Sequence, residues 1–430
     1  MALSLKFNEK YIDKYIGSDE ITAEIIKHKQ LFDDGYACKI GPDDRKGWFK
    51  VDNNADENML KRIHKVADKI RSQSEVLVVI GIGGSNRGSM AAVECLKYAH
   101  PDSPEIIWAG NNVSATAIER VMDRIGNRSV SVYVIAKDFN TVEPGLAFRV
   151  FRQYLKQRYG DEYKERVTVC GSEGKGNLLE LSQKYGFGFL PFPEEVGGRY
   201  CILTPVGLLP CAVAGIDIDV LVQSARDTEK YLKTVDAANN PAVRYAVARN
   251  LLMKKGFYVE SMVVNEPDLE FFARWWLQEF GETEGKIQEC IYPDYYVNSE
   301  DLHSIGQYVQ QGRRFITETY LRCFKTHPDK KVPSSDVEDG FGYLEGKPYD
   351  SVNRAVYNGS LKAHYDDGVP CLEFICPDNP DEKLFGELFY FFLFAVYMSA
   401  NYIGVNPFNQ DGVENYKKNM YDLLEKFTKK

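Results

Sequence analysis

Basic residues are in the minority. The 430-residue chain carries 53 lysines and arginines against 62 aspartates and glutamates, a formal net charge of −9. That balance excludes an extended nucleic-acid surface, which needs clustered positive charge. Long apolar runs are also missing. The most hydrophobic stretch, residues 388–398, is too short to span a bilayer, which takes about 20 apolar residues. Its aromatic content instead predicts a buried core helix. The first residues contain no apolar segment of signal-peptide length. The nine cysteines are odd in number and scattered, with no Cys-x-x-Cys among them. Cys371 and Cys376 are wrongly spaced for a zinc knuckle. Neither a disulfide frame nor a metal site follows, and reduced thiols in a cytoplasmic protein fit best. No Gly-Lys-Ser/Thr is found after the first glycine cluster, so a Walker loop is excluded there. The same cluster lacks the Gly-x-Gly-x-x-Gly spacing of a dinucleotide site, which disfavours a dehydrogenase.

What is present is organised around residues 75–88. The apolar run Val76-Leu77-Val78-Val79-Ile80 stops at Gly81-Ile82-Gly83-Gly84-Ser85, and a helical pattern follows. A strand, a tight glycine turn and a helix N-terminus bring free N–H groups together, which suits an anion such as a phosphate. A turn that merely packs a helix on a sheet has the same local pattern.

An alternating rhythm continues from there. Strands are predicted at residues 76–82, 106–109, 130–136 and 167–170, with helices at 89–98, 115–125 and 145–159 between them. This pattern predicts a doubly wound parallel sheet. A second α/β unit follows, with helices at 204–214, 241–254, 268–279 and 383–403 and strands at 257–264, 315–321 and 370–376. Upstream, residues 21–31 have helical spacing. Residues 59–72 predict an amphipathic helix, with Asp52 or Asn53 as its cap. Residues 326–348 predict an exposed loop. The expected organisation is an N-terminal arm (1–55), two α/β domains (56–200 and 201–405) and a C-terminal loop and helix (406–430).

Three further segments combine glycine with ionisable groups. Val196-Gly197-Gly198-Arg199-Tyr200 sets an arginine beside a flexible backbone, a suitable stabiliser of an oxyanion. Gly281-Glu282-Thr283-Glu284-Gly285-Lys286 carries two carboxylates. Phe408-Asn409-Gln410-Asp411-Gly412-Val413-Glu414-Asn415-Tyr416-Lys417 runs into a charged helix. Between the last two lies Asp301-Leu302-His303-Ser304-Ile305-Gly306-Gln307-Tyr308. Each alone has a structural reading as a turn, a helix end or a solvated face.

In this order, the five motifs resemble those of the glucose-6-phosphate (phosphoglucose) isomerase family in its shorter bacterial form, over residues 76–418. The resemblance implies two flavodoxin-like sugar-isomerase (SIS) domains and a homodimer with its active site at the interface. It implies exchange of glucose 6-phosphate and fructose 6-phosphate through a cis-enediolate, without metal, redox cofactor, nucleic acid or membrane. Glu282 would shuttle the proton between C1 and C2, and Arg199 would stabilise the enediolate. His303, donated by the neighbouring subunit, would help open the ring, with Lys417. Gln278 and Gln410 would bind the sugar. Gly84, Ser85 and the 137–141 loop, with Lys137 and Thr141, would hold the phosphate.

The chemistry is compatible with these roles. One carboxylate can remove and return a proton, a guanidinium keeps its charge beside an oxyanion, and histidine titrates near neutrality. The chain departs from the family pattern in three places. Residues 136–143 read Ala-Lys-Asp-Phe-Asn-Thr-Val-Glu where the family has Ser-Lys-Ser-Gly-Thr-Thr-Thr-Glu. Only Lys137, Thr141 and Glu143 remain, and Asp138 brings a carboxylate that would repel a phosphate. Asn86-Arg87 replace a bulky apolar pair, and Arg87 is expected to lend charge to the phosphate. Cys201 replaces a serine or threonine. Two other readings stay open: an isomerase of another hexose phosphate such as mannose 6-phosphate, and a non-catalytic sugar-phosphate sensor.

Overall fold

The computed structural model describes residues 3–42, 45–137, 139–174 and 176–428. Two five-stranded sheets form its frame. The strands are β1 Lys6–Asn8, β2 Val76–Ile80, β3 Glu105–Ala109, β4 Val130–Ile135, β5 Val167–Gly171, β6 Gly188–Pro191, β7 Val259–Val264, β8 Tyr292–Val297, β9 Ile316–Arg322 and β10 Cys371–Ile375.

The first sheet has the order β3-β2-β4-β5-β6 and is parallel throughout. This is the flavodoxin-like order, in which the winding reverses between β2 and β4. β2, β4 and β5 are buried along their whole length, because helices cover both faces. That double burial explains why their apolar runs were readable from composition alone. The glycine turn leaves β2 at the reversal.

The second sheet has the order β1-β10-β9-β7-β8. β7 to β10 repeat the flavodoxin-like arrangement in parallel, again reversing beside the central strand. β1 closes the far edge antiparallel to β10, so three residues of the expected N-terminal arm belong to this sheet. Asn8 Nδ2 donates to Glu373 Oε2 at 2.7 Å, and the Ser4 and Leu5 N–H groups donate to Glu387.

Sequence patterning did not reveal β1, β6 or β8. All three are edge strands. β8 mixes exposed, half-exposed and buried positions without strict alternation and contains Pro293, which an edge tolerates because it need not donate to a neighbour. The first helix of the first sheet begins at Gly84, five residues before its predicted start, because its opening turn is built from residues of low helix propensity. The helix Glu57–Gln73 is capped by Asp56, whose carboxylate accepts from Met59 N at 2.7 Å. Asp52 and Asn53, the expected caps, lie in the preceding turn Val51–Asn53.

The helix Glu382–Tyr402 is long and apolar enough to cross a membrane, but here it is buried in the protein. Its aromatic rings meet those of neighbouring elements edge to face, as between Phe389 and Trp275, or Phe392 and Tyr245.

Beside it lies a buried polar knot. Arg249 Nε donates to Glu260 Oε2 at 2.5 Å, and its Nη1 donates to both Glu284 oxygens at 2.6 and 2.7 Å and to Ser399 Oγ at 3.1 Å. Tyr245 and Thr319 hydroxyls donate to Glu260 Oε1, each at 2.7 Å. The knot joins β7, the helix Pro241–Lys254, the core helix and the end of the helix Glu270–Glu284. Removing the cation leaves two carboxylates buried without it. Arg249→Met is therefore expected to lower the unfolding free energy by about 3–5 kcal/mol in urea denaturation. A midpoint equal to that of the parent chain would refute the clamp.

Candidate active site

The glycine turn is shaped by close approach. Gly83 has φ +57°, and a Cβ on Gly84 would stand 2.0 Å from the carbonyl oxygen of Gly198. Only glycine lets the 81–85 turn and the 197–200 loop touch backbone to backbone. Cys201 seals the junction. Its Sγ lies 2.9 Å from Gly198 O and 3.3 Å from Gly84 O. Burial pushes this thiol well above its ordinary value, so it stays protonated and donates, as the expected hydroxyl would.

This contact brings Arg199 beside the turn. Arg199 is 3% exposed. Its Nε donates to Glu282 Oε2 at 3.1 Å, and its Nη2 donates to Glu282 O at 3.3 Å and Asn409 O at 2.9 Å. Nη1 donates to Pro407 O at 3.0 Å and Phe408 O at 3.4 Å. The guanidinium thus holds a helix end and the 407–409 loop against the glycine turn.

Glu282 and Gln278 stand one turn apart on the helix Glu270–Glu284. Gln278 Nε2 donates to Glu282 Oε1 at 2.8 Å, and a Cβ on Gly83 would lie 3.0 Å from the same nitrogen. Each Glu282 carboxyl oxygen therefore has a donor, while about a third of the side chain remains accessible. The result is an accessible carboxylate against a buried, permanently charged cation at the reversal point of a parallel sheet. Such a pair can exchange a proton with a bound molecule and stabilise negative charge developing on it.

Two groups here carried no role in the sequence reading. Glu279 is fully buried three residues before Glu282, and neither of its oxygens has a hydrogen-bond partner. Burial raises its carboxyl well above the usual range, against the opposing pull of Arg199. Lys286 donates to the carbonyl of Asn406. Burial, and then the Arg199 charge, lower its amine to about 8. Its place at the end of the glycine–glutamate motif was the available signal.

The remaining sequence-predicted residues are dispersed. Ser85 is half-buried in the first turn of the helix Gly84–Leu96. Lys137 Nζ donates to the carbonyls of Glu194 at 2.5 Å and Val196 at 3.0 Å, bracing the arginine loop from behind. Thr141 is exposed and caps the helix Val142–Tyr159 by position, without a side-chain hydrogen bond. Asp138 lies outside the described residues. Arg87 Nη1 donates to Arg274 O at 3.4 Å and, with Gly83, Asn86 and Arg274, lines a 220 Å³ cavity. Burial and the Arg274 charge lower the Arg87 guanidinium. Gln410 is exposed, one residue past the loop that Arg199 holds. Lys417 pairs with Glu414 at 2.8 Å, and His303 is exposed in the turn Glu300–His303. Among the described residues, neither Lys417 nor His303 hydrogen-bonds or ion-pairs with Arg199 or Glu282.

A family model described as "Phosphoglucose isomerase" matches residues 57–427. Among curated proteins, the glucose-6-phosphate isomerase of Pediococcus pentosaceus is 41% identical over 418 residues, covering 95% of this chain and 92% of that protein. The Bacillus thuringiensis glucose-6-phosphate isomerase is 40% identical over 441 residues, covering 99% and 97%. Among solved structures, a hypothetical protein from Thermus thermophilus superposes with a TM-score of 0.87 at 22% identity, covering 98% of this chain and 99% of that one. A glucose-6-phosphate isomerase from Chlamydia trachomatis gives 0.78 at 16% identity, covering 98% and 92%. Both structural likenesses establish the fold.

The Lys286 amine has a consequence for stability. Its folded value of about 8 lies below the ordinary 10.5. Between the two, the unfolded chain binds more protons, so stability rises with pH across that window. The parent chain is expected to gain stability relative to Lys286→Met as pH climbs from about 8 toward 10.5. Parallel denaturation curves for the two proteins across that range would contradict the assignment.

Proposed function

The chain belongs to the phosphoglucose isomerase family, and on that premise we propose that it interconverts glucose 6-phosphate and fructose 6-phosphate as an aldose–ketose isomerase. The observation that carries the reading is the Arg199–Glu282 contact of 3.1 Å, with Gln278 on the other carboxyl oxygen.

In the forward direction, the ring opens by proton transfer to the ring oxygen and from the anomeric hydroxyl. Glu282 takes the C2 proton of the open-chain aldose, leaving a cis-enediolate across C1 and C2. Arg199 faces the negative charge that forms on the oxygens. Glu282 returns the proton to C1, a proton passes from O2 to O1, and the ketose results. Atoms and electrons balance within the sugar, so one carboxylate serves as base and then as acid. The Arg199 partners are mostly backbone carbonyls, so its position is set before substrate arrives.

The phosphate is assigned to Ser85 and the N-terminus of the helix Gly84–Leu96, where the helix dipole favours an anion. Gly84 lets the arginine loop pack directly against this turn. Thr141 and the start of the helix Val142–Tyr159 form the second wall. Lys137, which braces the arginine loop, and Arg87, beside the glycine turn, contribute positive charge. Gln278 and Gln410 bind sugar hydroxyls. His303 and Lys417 assist ring opening, with His303 reaching the site of a second copy in a homodimer. Its exposure, and the absence of an intrachain partner among the described residues, support that placement. The nine cysteines are free, which suits a cytoplasmic setting.

Glu282→Gln is expected to lower kcat by about 10²–10⁴-fold in a coupled assay of glucose 6-phosphate formation, while a sugar-phosphate analogue still binds within a few-fold of the parent. Loss of binding together with turnover would make Glu282 structural. No turnover by the folded parent protein would remove the isomerase reading in favour of a sensor. Mixing inactive Glu282→Gln and His303→Ala chains tests the shared site. Random pairing should restore about a quarter of parental activity, because each mixed dimer rebuilds one intact site. No recovery in proven mixed dimers would place His303 in its own subunit's site.

A further inference from the structure

The helices Gly84–Leu96 and Glu270–Glu284 pack against each other beside the glycine turn. A Cβ on Gly83 would meet Gln278, and one helical turn further on Arg87 Nη1 donates to Arg274 O. Arg274, Gln278 and Glu282 are spaced four residues apart, so they share one face of their helix. That row carries the accessible carboxylate at one end and a pair of arginines at the other, about 12 Å away along the axis.

Arg87 and Arg274 line the 220 Å³ cavity, whose apolar walls are Ile82, Met90 and Phe271. Asn111, which follows β3, lines it as well. Lys137 and Thr141, assigned above to the substrate phosphate, follow β4 instead. The strand order β3-β2-β4 sets these segments on opposite sides of the turn that leaves β2. The cavity therefore stands apart from the reversal point where the sugar phosphate is placed.

Charge in the cavity is one-sided. No aspartate or glutamate lines it among the described residues. Arg274 is answered by Glu270, its Nε donates to Tyr295 Oη at 3.0 Å, and its guanidinium lies over the Phe271 ring. Arg87 has no carboxylate at ion-pair distance among the described residues, and its one hydrogen bond there is the 3.4 Å contact to Arg274 O. A guanidinium offers five N–H donors, so most of those on Arg87 are unspent. Two like charges share one partly enclosed space, and the repulsion is felt. After burial, the Arg274 charge is the main cause that lowers the Arg87 guanidinium, and Tyr295 and Glu282 offset it less. An anion between the arginines would relieve that repulsion and accept the unspent donors. The volume is below the ~300–1,000 Å³ usual for whole small-molecule ligands, which suits a single anionic group.

We propose that this cavity is a second anion subsite, which holds one phosphate group between Arg87 and Arg274, apart from the phosphate of the sugar substrate. The planar forks match phosphate oxygens in pairs, and the apolar walls strengthen the attraction by excluding water. The phosphate comes either as the free inorganic ion or as the second phosphate of a bisphosphorylated sugar, and the chemistry at the cavity is the same.

Calorimetry on the full chain saturated with fructose 6-phosphate tests this, with inorganic phosphate as the probe. Phosphate is expected to bind saturably, one per chain, although the sugar site is filled. Arg87 belongs to both readings, so the test is placed on Arg274, which has no part in the isomerase machinery. Arg274→Gln, at a half-exposed position, should weaken phosphate binding at least ten-fold and keep parental turnover. Arg274→Lys, which retains the charge, should recover part of the affinity. Met90→Trp fills the cavity from the facing helix with both charges in place, and should block binding as well. Absence of saturable phosphate binding overturns the proposal, as does an affinity unchanged in folded Arg274→Gln. A hexose bisphosphate that displaces both fructose 6-phosphate and inorganic phosphate assigns the cavity to the second group of one ligand; displacement of fructose 6-phosphate alone assigns it to the free ion. A chain that ignores fructose 6-phosphate would fail the isomerase reading and still bind phosphate through Arg274, so the two failures are distinguishable.

Discussion

A buried guanidinium needs a full set of acceptors, and the way Arg199 finds them holds the candidate site together. Its donors meet one carboxylate and four backbone carbonyls. Those acceptors come from the helix Glu270–Glu284 and from residues 407–409, which lie far away in sequence. Desolvating such a cation without these partners would be prohibitively unfavourable. The requirement therefore acts in both directions: the charge is tolerable only in the assembled fold, and the fold aims the charge at Glu282.

The helix bearing Glu282 is held by two arginines at successive acidic positions. Arg199 takes Glu282 toward the accessible side, and Arg249 takes Glu284 into the core. Residues two apart on a helix point in different directions, so one short motif presents a carboxylate to the accessible side and anchors another in the core. The difference in exposure separates the roles. Glu284 is 1% exposed and fully bonded, whereas Glu282 keeps about a third of its surface accessible. Lys286 extends the arrangement by fastening the helix end to Asn406, next to the carbonyls that Arg199 holds.

The two sheets show how one topology acquires opposite chemistry. Each reverses its winding beside its central strand, and each opens there. At the first, glycines let backbones meet, and a helix begins there. At the second, the segments leaving the strands bring seven carboxylates to a 910 Å³ cavity. Topology chooses where a ligand can sit, and the side chains leaving the strand choose its charge.

Local pattern alone determined the buried strands β2, β4, β5 and β10 and several long helices, Glu57–Gln73 and Glu382–Tyr402 among them, because burial on both faces leaves strands that are mostly apolar; the helices Ile218–Thr234 and Tyr349–Asp366 escaped it. It also supplied the glycine turn and the ordered motifs on which the family resemblance rests. Edge strands β1, β6 and β8 escaped it, since a strand covered on one side carries mixed residues. Which motifs share a site was decided only in three dimensions. The Gly84–Gly198 approach, the carbonyl cradle of Arg199 and the buried Glu279 depend on residues distant in sequence, and spacing along a chain does not encode such contacts. Lys137 illustrates the difference: its charge was legible, but its partners, the carbonyls of Glu194 and Val196, were set by packing.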